Sequence, residues 1–128
     1  MAESPETRIY DTGDIYENLN EFELLISDYS SIMIDFAVLN RPTISYRYDE
    51  KEYQKFEREM YFDIRELSFV KSAVSDQELL EILKEYIANA KSKQFEINYD
   101  DVKRFHIYRD GKTCERHYEF FGAMLNIL

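Results

Sequence analysis

The chain has very little of the residues that make cross-links and sharp turns. Among its 128 residues are one cysteine, two prolines, three glycines and no tryptophan. The single cysteine, Cys114, cannot form an internal disulfide, which fits a reducing compartment. From this usage we expect a cytoplasmic protein.

Positive charge is also scarce. The chain has 16 Lys and Arg against 26 Asp and Glu, for a net charge of -10. Affinity for phosphate backbones or anionic lipid requires clustered cations, so the composition disfavours a nucleic acid or membrane-surface partner. No signal peptide is visible in MAESPETR and no apolar run approaches membrane-spanning length. We expect no direct membrane insertion, although a longer protein containing this chain could associate peripherally with the cytoplasmic membrane face.

The most informative stretch is 24–46. An apolar run of strand length at Leu24 stops at the polar turn 27–31, and a short apolar helix follows from Ile32 to Leu39. Pro42 ends that helix, and Thr43–Tyr46 has strand composition. The order strand, helix, strand predicts a parallel βαβ unit. The fold class is therefore α/β, with a Rossmann-like, three-layer parallel sheet.

The turn at 27–31 is the candidate ligand site, because ligands of open α/β sheets bind at the carboxyl edge. Amide N–H groups at a helix start favour an anion, and Ser30 and Ser31 add hydroxyl donors. Asp35 lies one turn beyond Ser31 and could accept hydrogen bonds from a sugar. Together they indicate a nucleotide diphosphate. The plainer interpretation is two helix-capping serines and an aspartate that pairs with a neighbouring cation or faces solvent.

The remaining chain reads as further elements of one domain. Residues 1–7 are expected to be a flexible leader and 8–128 a single domain, with a first strand at Arg8–Tyr10. Before the central stretch we predict a helix capped by Asp14, and after it a loop and short helix over 48–59. A longer helix is predicted from Ser75 to about Lys93, with a capping box at Ser75 and Glu78. The last predicted elements are a loop and a terminal helix that packs back on the domain through Tyr118, Phe121 and Leu125.

The segment ISDYSSIMIDFAVLNRPTISYRYDEKEYQKFERE resembles the C-terminal domain of the CDP-glycerol glycerophosphotransferase family, bacterial enzymes that prime and polymerise teichoic acids. The matching features are the 27–31 turn, Asp35, Arg41-Pro42, a strand ending in Tyr46, and then Asp49, Tyr53 and Arg58. A weaker likeness continues to Asp110-Gly111 and Arg116. Two features depart from the family pattern: Glu59 replaces a glycine, and Leu67-Ser68-Phe69 stands where a Pro-Gly is usual.

This resemblance implies a donor-nucleotide-binding domain of a larger, glycosyltransferase-B-like enzyme with two Rossmann-type domains. The donor would be CDP-glycerol or a similar CDP-alcohol, and the polymer acceptor would be bound through an N-terminal domain. The family's catalytic histidines lie upstream of the turn, so we expect no catalytic residue, metal or cofactor in this chain. The expected donor-binding residues are Asp28, Ser30, Ser31, Asp35, Arg58 and Arg116.

Other functions remain open from the sequence. A glycosyltransferase using a nucleotide-diphospho-sugar would need the same turn and acid, and an inactive folded remnant would keep the fold without binding a donor. A phosphoacceptor receiver domain could place Asp28 at the end of its strand. It would also need a second acidic pair and a strand-ending lysine, neither of which is evident.

Overall fold

A computed structural model describes residues 13–56, 63–90 and 99–125. At its centre is a parallel sheet of three strands in the order β1 (Leu25–Ser27), β2 (Thr43–Tyr46) and β3 (Val70–Ala73). Ile26 lies opposite Ile44, and Ile44 lies opposite Lys71. The predicted parallel βαβ unit is confirmed. The expected leader at 1–7, the strand at Arg8–Tyr10 and the predicted helix end at Lys93 lie outside the described residues.

In the described residues a helix follows each of the three strands, and two further helices come after the third. They are α1 (Ile32–Phe36), α2 (Glu50–Phe56), α3 (Asp76–Ala90), α4 (Tyr99–Phe105) and α5 (Thr113–Met124). A 3-10 turn at Ala37–Leu39 extends α1 and ends at Asn40, whose φ of 56° reverses the chain into β2. The predicted short helix over 48–59 is confirmed as α2. Together these elements form the α/β, Rossmann-like fold expected from the sequence.

The hydrophobic core lies against the central strand. Thr43, Ile44 and Ser45 are all buried, and because successive side chains point to opposite faces, both faces of β2 are covered. One core cluster joins α1, the segment before β3, β3 itself and α4; its buried members are Met33, Ala37, Ile64, Leu67, Phe69, Val70 and Val102. Met33 of α1 belongs to this cluster and Leu25 of β1 packs against it, so the core holds β1 and α1 in place on either side of the turn at 27–31.

The predicted capping residues, Ser75 and Glu78, both make hydrogen bonds at the beginning of α3. Ser75 Oγ accepts a hydrogen bond from the Glu78 amide at 3.3 Å, and Glu78 Oε2 accepts one from the Val74 amide at 2.9 Å. The acid therefore reaches one residue further back than in the usual capping box, whose acid accepts from the capping residue itself.

One prediction near the strands is corrected, and one strand was missed. The helix expected after Asp14 is a pair of 3-10 turns, Ile15–Glu17 and Leu19–Glu21, because only Leu19 of this segment is buried deeply enough to hold a helix face. Strand β3 was not predicted at all. It has four residues, and its Lys71 and Ser72 interrupt the apolar pattern that identifies a buried parallel strand.

The C-terminal segment packs differently from the prediction. The docking element is α4, where a loop was expected: Val102 is buried in the core, and the Phe105 ring meets Phe69 edge-to-face at 6.4 Å. The terminal helix α5 does form. Its predicted packing residues Tyr118, Phe121 and Leu125 are instead 55–67% exposed, because α4 already covers that part of the core.

Candidate functional site

The turn that follows β1 is held at the carboxyl edge of the sheet by the neighbouring strand. Ser45 Oγ of β2 donates a hydrogen bond to the Asp28 carbonyl at 2.9 Å, and the Asp28 carboxylate accepts one from the Tyr29 amide at 2.7 Å. Asp28 is therefore engaged in shaping the turn. Its side chain is exposed and leaves the turn open to solvent.

Ser30 and Ser31 differ in what their side chains do. Ser30 Oγ accepts a hydrogen bond from the Ile32 amide at 3.4 Å, so it acts as a weak cap of α1. Ser31 is exposed, and its side chain makes no capping bond. Within the described part of the chain, neither serine amide donates a hydrogen bond. The turn therefore presents two amides and the Ser31 hydroxyl as unused donors.

Tyr29, between the strand end and the serines, is tied to α2. Its ring stacks on Tyr53 with centroids 3.6 Å apart and planes inclined by 9°, and its hydroxyl donates to Asp49 Oδ1 at 2.9 Å. Burial, followed by the hydrogen bond to Asp49, raises the pKa of the Tyr29 phenol well above its ordinary value. Tyr29 therefore stays neutral and packs against α2.

Asp35 has a partner that the sequence did not reveal. The Tyr16 hydroxyl donates a hydrogen bond to Asp35 Oδ2 at 2.8 Å, and this contact raises the pKa of Tyr16. Asp35 is half-buried and retains the acceptor capacity of its other oxygen. No signal in the sequence links residues 19 apart in this way, since Tyr16 lies before β1 on a separate turn.

A buried arginine at the carboxyl end of β2 was also missed. Arg47 is only 2% exposed; its guanidinium donates to Glu50 Oε1 at 3.0 Å and to Ser72 Oγ at 3.2 Å. Arg65 approaches the same Glu50 oxygen at 3.8 Å and pairs with Asp63. An arginine between two tyrosines at a strand end resembles a surface residue, so the sequence gave no indication of its burial.

The two arginines predicted to contact the donor have different outcomes. Arg58 lies outside the described residues. Arg116, on α5, forms an ion pair with Asp110 and lies over the Tyr108 ring at 3.8 Å. The ion pair lowers the pKa of Asp110. In the described part of the chain, no hydrogen bond or ion pair joins Arg116 to the turn at 27–31, so the structure brings together Asp28, Ser30, Ser31 and Asp35 without it.

The composition of residues 13–56, 63–90 and 99–125 also bears on the type of site. No group of three or more His, Cys, Asp or Glu side chains there could hold a metal ion. None of the helices in these ranges combines the length and apolar character that crossing a membrane requires.

The sequence model of the CDP-Glycerol:Poly(glycerophosphate) glycerophosphotransferase family matches residues 6–121, which include every described site residue. The chain belongs to this family. The family assignment confirms the resemblance carried by the turn at 27–31, Asp35 and Arg41-Pro42.

Characterised relatives of this glycerophosphotransferase-family chain are much longer than it is. A teichoic acid poly(ribitol-phosphate) polymerase of Bacillus spizizenii is 31% identical over 105 residues, which is 80% of this chain and 16% of the relative. A teichoic acid glycerol-phosphate transferase of Staphylococcus aureus is 28% identical over 120 residues, 86% of this chain and 31% of the relative. A teichoic acid glycerol-phosphate primase of Bacillus subtilis is 42% identical over 41 residues. The chain therefore spans less than a third of these relatives.

Proposed function

We propose that this chain is the donor-binding part of a glycerophosphotransferase that uses CDP-glycerol or a similar CDP-alcohol in the synthesis of teichoic acid or a related cell-wall polymer. The observation that carries the proposal is the Ser30–Ser31 turn, which is exposed at the carboxyl end of the first described parallel strand and has unused donors. Family membership and the names of the relatives support the choice of donor.

In this proposal the turn binds the diphosphate. The two serine amides and the Ser31 hydroxyl donate hydrogen bonds to phosphate oxygens, and such bonds to a charged acceptor are stronger than neutral ones. The free oxygen of Asp35 accepts a hydrogen bond from a hydroxyl of the donor. Transfer of glycerol phosphate releases CMP, and the same donors stabilise the charge that develops on the leaving phosphate.

The chain's own residues bind and orient the donor, while the base that activates the acceptor hydroxyl belongs to another part of a longer enzyme. His106 is engaged with the Ile34 carbonyl at 3.0 Å, and His117 lies on α5 near the Phe121 ring. Neither histidine contacts the turn. The acceptor polymer is bound outside this chain, and the complete enzyme acts at the cytoplasmic face of the membrane that carries the growing polymer.

The test is a titration of the purified chain with CDP-glycerol, CMP and UDP-glucose, followed through backbone amide NMR shifts. We expect saturable shifts in residues 28–35 with CDP-glycerol. Ser31→Ala should weaken this binding about tenfold because it removes a hydrogen bond to a charged group. Ser68→Ala, a change at an exposed serine remote from the turn in sequence, is the matched control and should bind as the unaltered chain does.

The titration distinguishes the proposed function from its two alternatives. Preference for UDP-glucose over CDP-glycerol would replace the proposal with a nucleotide-sugar transferase. The absence of any shift at millimolar donor would reject donor binding by this chain and leave the inactive remnant as the better description.

A further inference from the structure

The turn that would bind the donor has little support of its own. Strand β1 has three residues, and α1 has five. Beyond these, the turn is held by the Ser45 hydrogen bond to the Asp28 carbonyl and by Tyr29, which stacks on Tyr53 and bonds to Asp49. The position of Ser30 and Ser31 therefore depends on where α2 places Asp49 and Tyr53.

The first turn of α2 is attached to the sheet by Arg47. The Arg47 amide donates to the Ala73 carbonyl of β3 at 2.8 Å, so its backbone continues the sheet beyond β2. Its guanidinium then joins Ser72 of β3 to Glu50, the first residue of α2. Through its backbone and its side chain, Arg47 thus connects the ends of β2 and β3 to the helix that holds Tyr29.

Stability alone does not account for an arginine at this place. A buried guanidinium loses its hydration, and Arg47 Nε has no hydrogen-bond partner in the described structure. Replacing a buried ion pair with an apolar side chain of similar volume is often neutral or stabilising. What an apolar side chain could not supply is the direction of the two bonds, because a planar guanidinium fixes the angle between its acceptors.

We infer that Arg47 is a positioning residue for the donor site: by joining Ser72 to Glu50, it fixes α2 so that Asp49 and Tyr53 hold Tyr29, and through it the Ser30–Ser31 turn, in the geometry that binds a diphosphate. This inference rests on the proposed function. It assigns a role to a residue that does not contact the donor.

The test compares Arg47→Met with Arg65→Met. Both changes remove an arginine that lies near Glu50 Oε1, but Arg65 is more than half exposed and its distance of 3.8 Å exceeds a hydrogen bond. Three quantities are measured: the urea midpoint of unfolding, the ¹⁵N order parameters of the Ser30 and Ser31 amides without ligand, and the Kd for CDP-glycerol.

For Arg47→Met we expect a folded chain whose Ser30 and Ser31 order parameters fall from about 0.85, typical of rigid backbone, towards about 0.6. The Kd for CDP-glycerol should rise about tenfold, a loss that one lost ordering contact of about 1.4 kcal/mol produces. Arg47→Lys can reach one of the two partners at a time and should give an intermediate result. Arg65→Met should leave all three quantities near those of the unaltered chain.

Unchanged order parameters and an unchanged Kd in Arg47→Met would overturn the inference. If the unaltered chain binds no donor, the proposed function fails, and the order parameters alone decide whether Arg47 positions the turn. If Arg47→Met does not fold, Ser72→Ala and Tyr29→Phe take its place, since each removes one bond of the same connection; rigid serines in both would also overturn the inference.

Discussion

Asp101 is a single side chain that joins α4 to the segment before β3. Its carboxylate accepts a hydrogen bond from the Ser68 amide, 33 residues earlier in the chain, at 2.9 Å. Hydrogen bonds from the Ser68 side chain, and then from this amide, lower the pKa of Asp101 below its ordinary value of 3.8. A carboxylate whose pKa is lower in the folded state stabilises the fold above its unfolded-state pKa. The unfolded chain binds the proton more tightly, so this stability is lost as the pH falls through the folded-state pKa.

We therefore predict a pH-dependent effect of Asp101→Asn. At pH 7 this variant should unfold at lower urea concentration than the unaltered chain. The difference should shrink as pH falls below 3.8 and vanish once Asp101 is protonated in the folded state too. Urea midpoints measured between pH 2.5 and 7 check this.

The neighbouring Asp100 provides the control for that series. Its ion pair with Lys103 is solvent-exposed, and such pairs contribute little. Asp100→Asn should shift the midpoint less than Asp101→Asn at pH 7. A difference between Asp101→Asn and the unaltered chain that stays constant down to pH 2.5 would contradict the role assigned to its charge.

A second residue-level prediction concerns the packing of Met33 in the core. It is fully buried in the cluster against which Leu25 of β1 packs. Met33→Ala should lower the free energy of unfolding by about 2–5 kcal/mol, because it leaves a cavity beside the sheet. Met33→Leu, which nearly conserves volume, should cost less than about 1.5 kcal/mol. Chemical denaturation distinguishes the two, and similar losses in both variants would show that the site does not tolerate any change of shape.

At the scale of elements, the connection from α1 to β2 depends on the backbone conformation of one residue. Asn40 adopts the left-handed conformation with φ of 56°, which asparagine and glycine accept more readily than other residues. We predict that Asn40→Gly leaves stability within about 1 kcal/mol of the unaltered chain. Asn40→Val should cost about 1–2 kcal/mol or more, because its branched Cβ opposes this conformation. Thermal unfolding measures both, and equal stability of the two variants would argue that the backbone changes conformation there.

How well each element could be predicted depends on how its sequence is bounded. The β1-α1-β2 unit was predictable because short apolar runs are separated by the polar turn at 27–31 and by Pro42. Strand β3 and helix α4 were not, since β3 contains Lys71 and α4 has a lone buried valine, Val102, within the charged sequence YDDVKRF. Their burial comes from contacts with distant residues, which no local pattern encodes.

The candidate site likewise contains residues that the sequence could place and residues that it could not. Asp28, Ser30, Ser31 and Asp35 all lie within residues 28–35, so a strand-turn-helix pattern was enough to place them together. Tyr16 and Arg47 act through hydrogen bonds to residues 19 and 25 positions away, respectively. Partners so far apart in sequence are brought together only by the packing of the sheet and its helices.

For the molecule as a whole, the net charge of -10 makes a prediction about salt. The overall field repels an anionic donor, whereas the hydrogen bonds of the turn act at short range. Because the Debye length falls from about 30 Å at 0.01 M salt to about 10 Å at 0.1 M, added salt screens the repulsion first. The Kd for CDP-glycerol should therefore decrease or stay constant as NaCl rises from about 10 to 100 mM.

Calorimetric titration at several salt concentrations checks this expectation. Cytidine, which carries no phosphate, is the control ligand, and any affinity it shows should not depend on salt. A steep loss of CDP-glycerol affinity with salt would instead indicate that a cluster of cations dominates binding.

The far end of α1 has a consequence for how the chain is made. The Ile34 carbonyl lies 3.0 Å from His106 Nε2, and the Val38 carbonyl accepts a hydrogen bond from Arg109, partners 72 and 71 residues later. At a ribosomal rate of about 5–20 residues per second, roughly 4–14 seconds pass between the synthesis of α1 and that of its partners. During that interval the Ile34 carbonyl can accept a hydrogen bond from the Ala37 amide of its own helix, whereas the Val38 carbonyl must be hydrogen-bonded by water until Arg109 has been made.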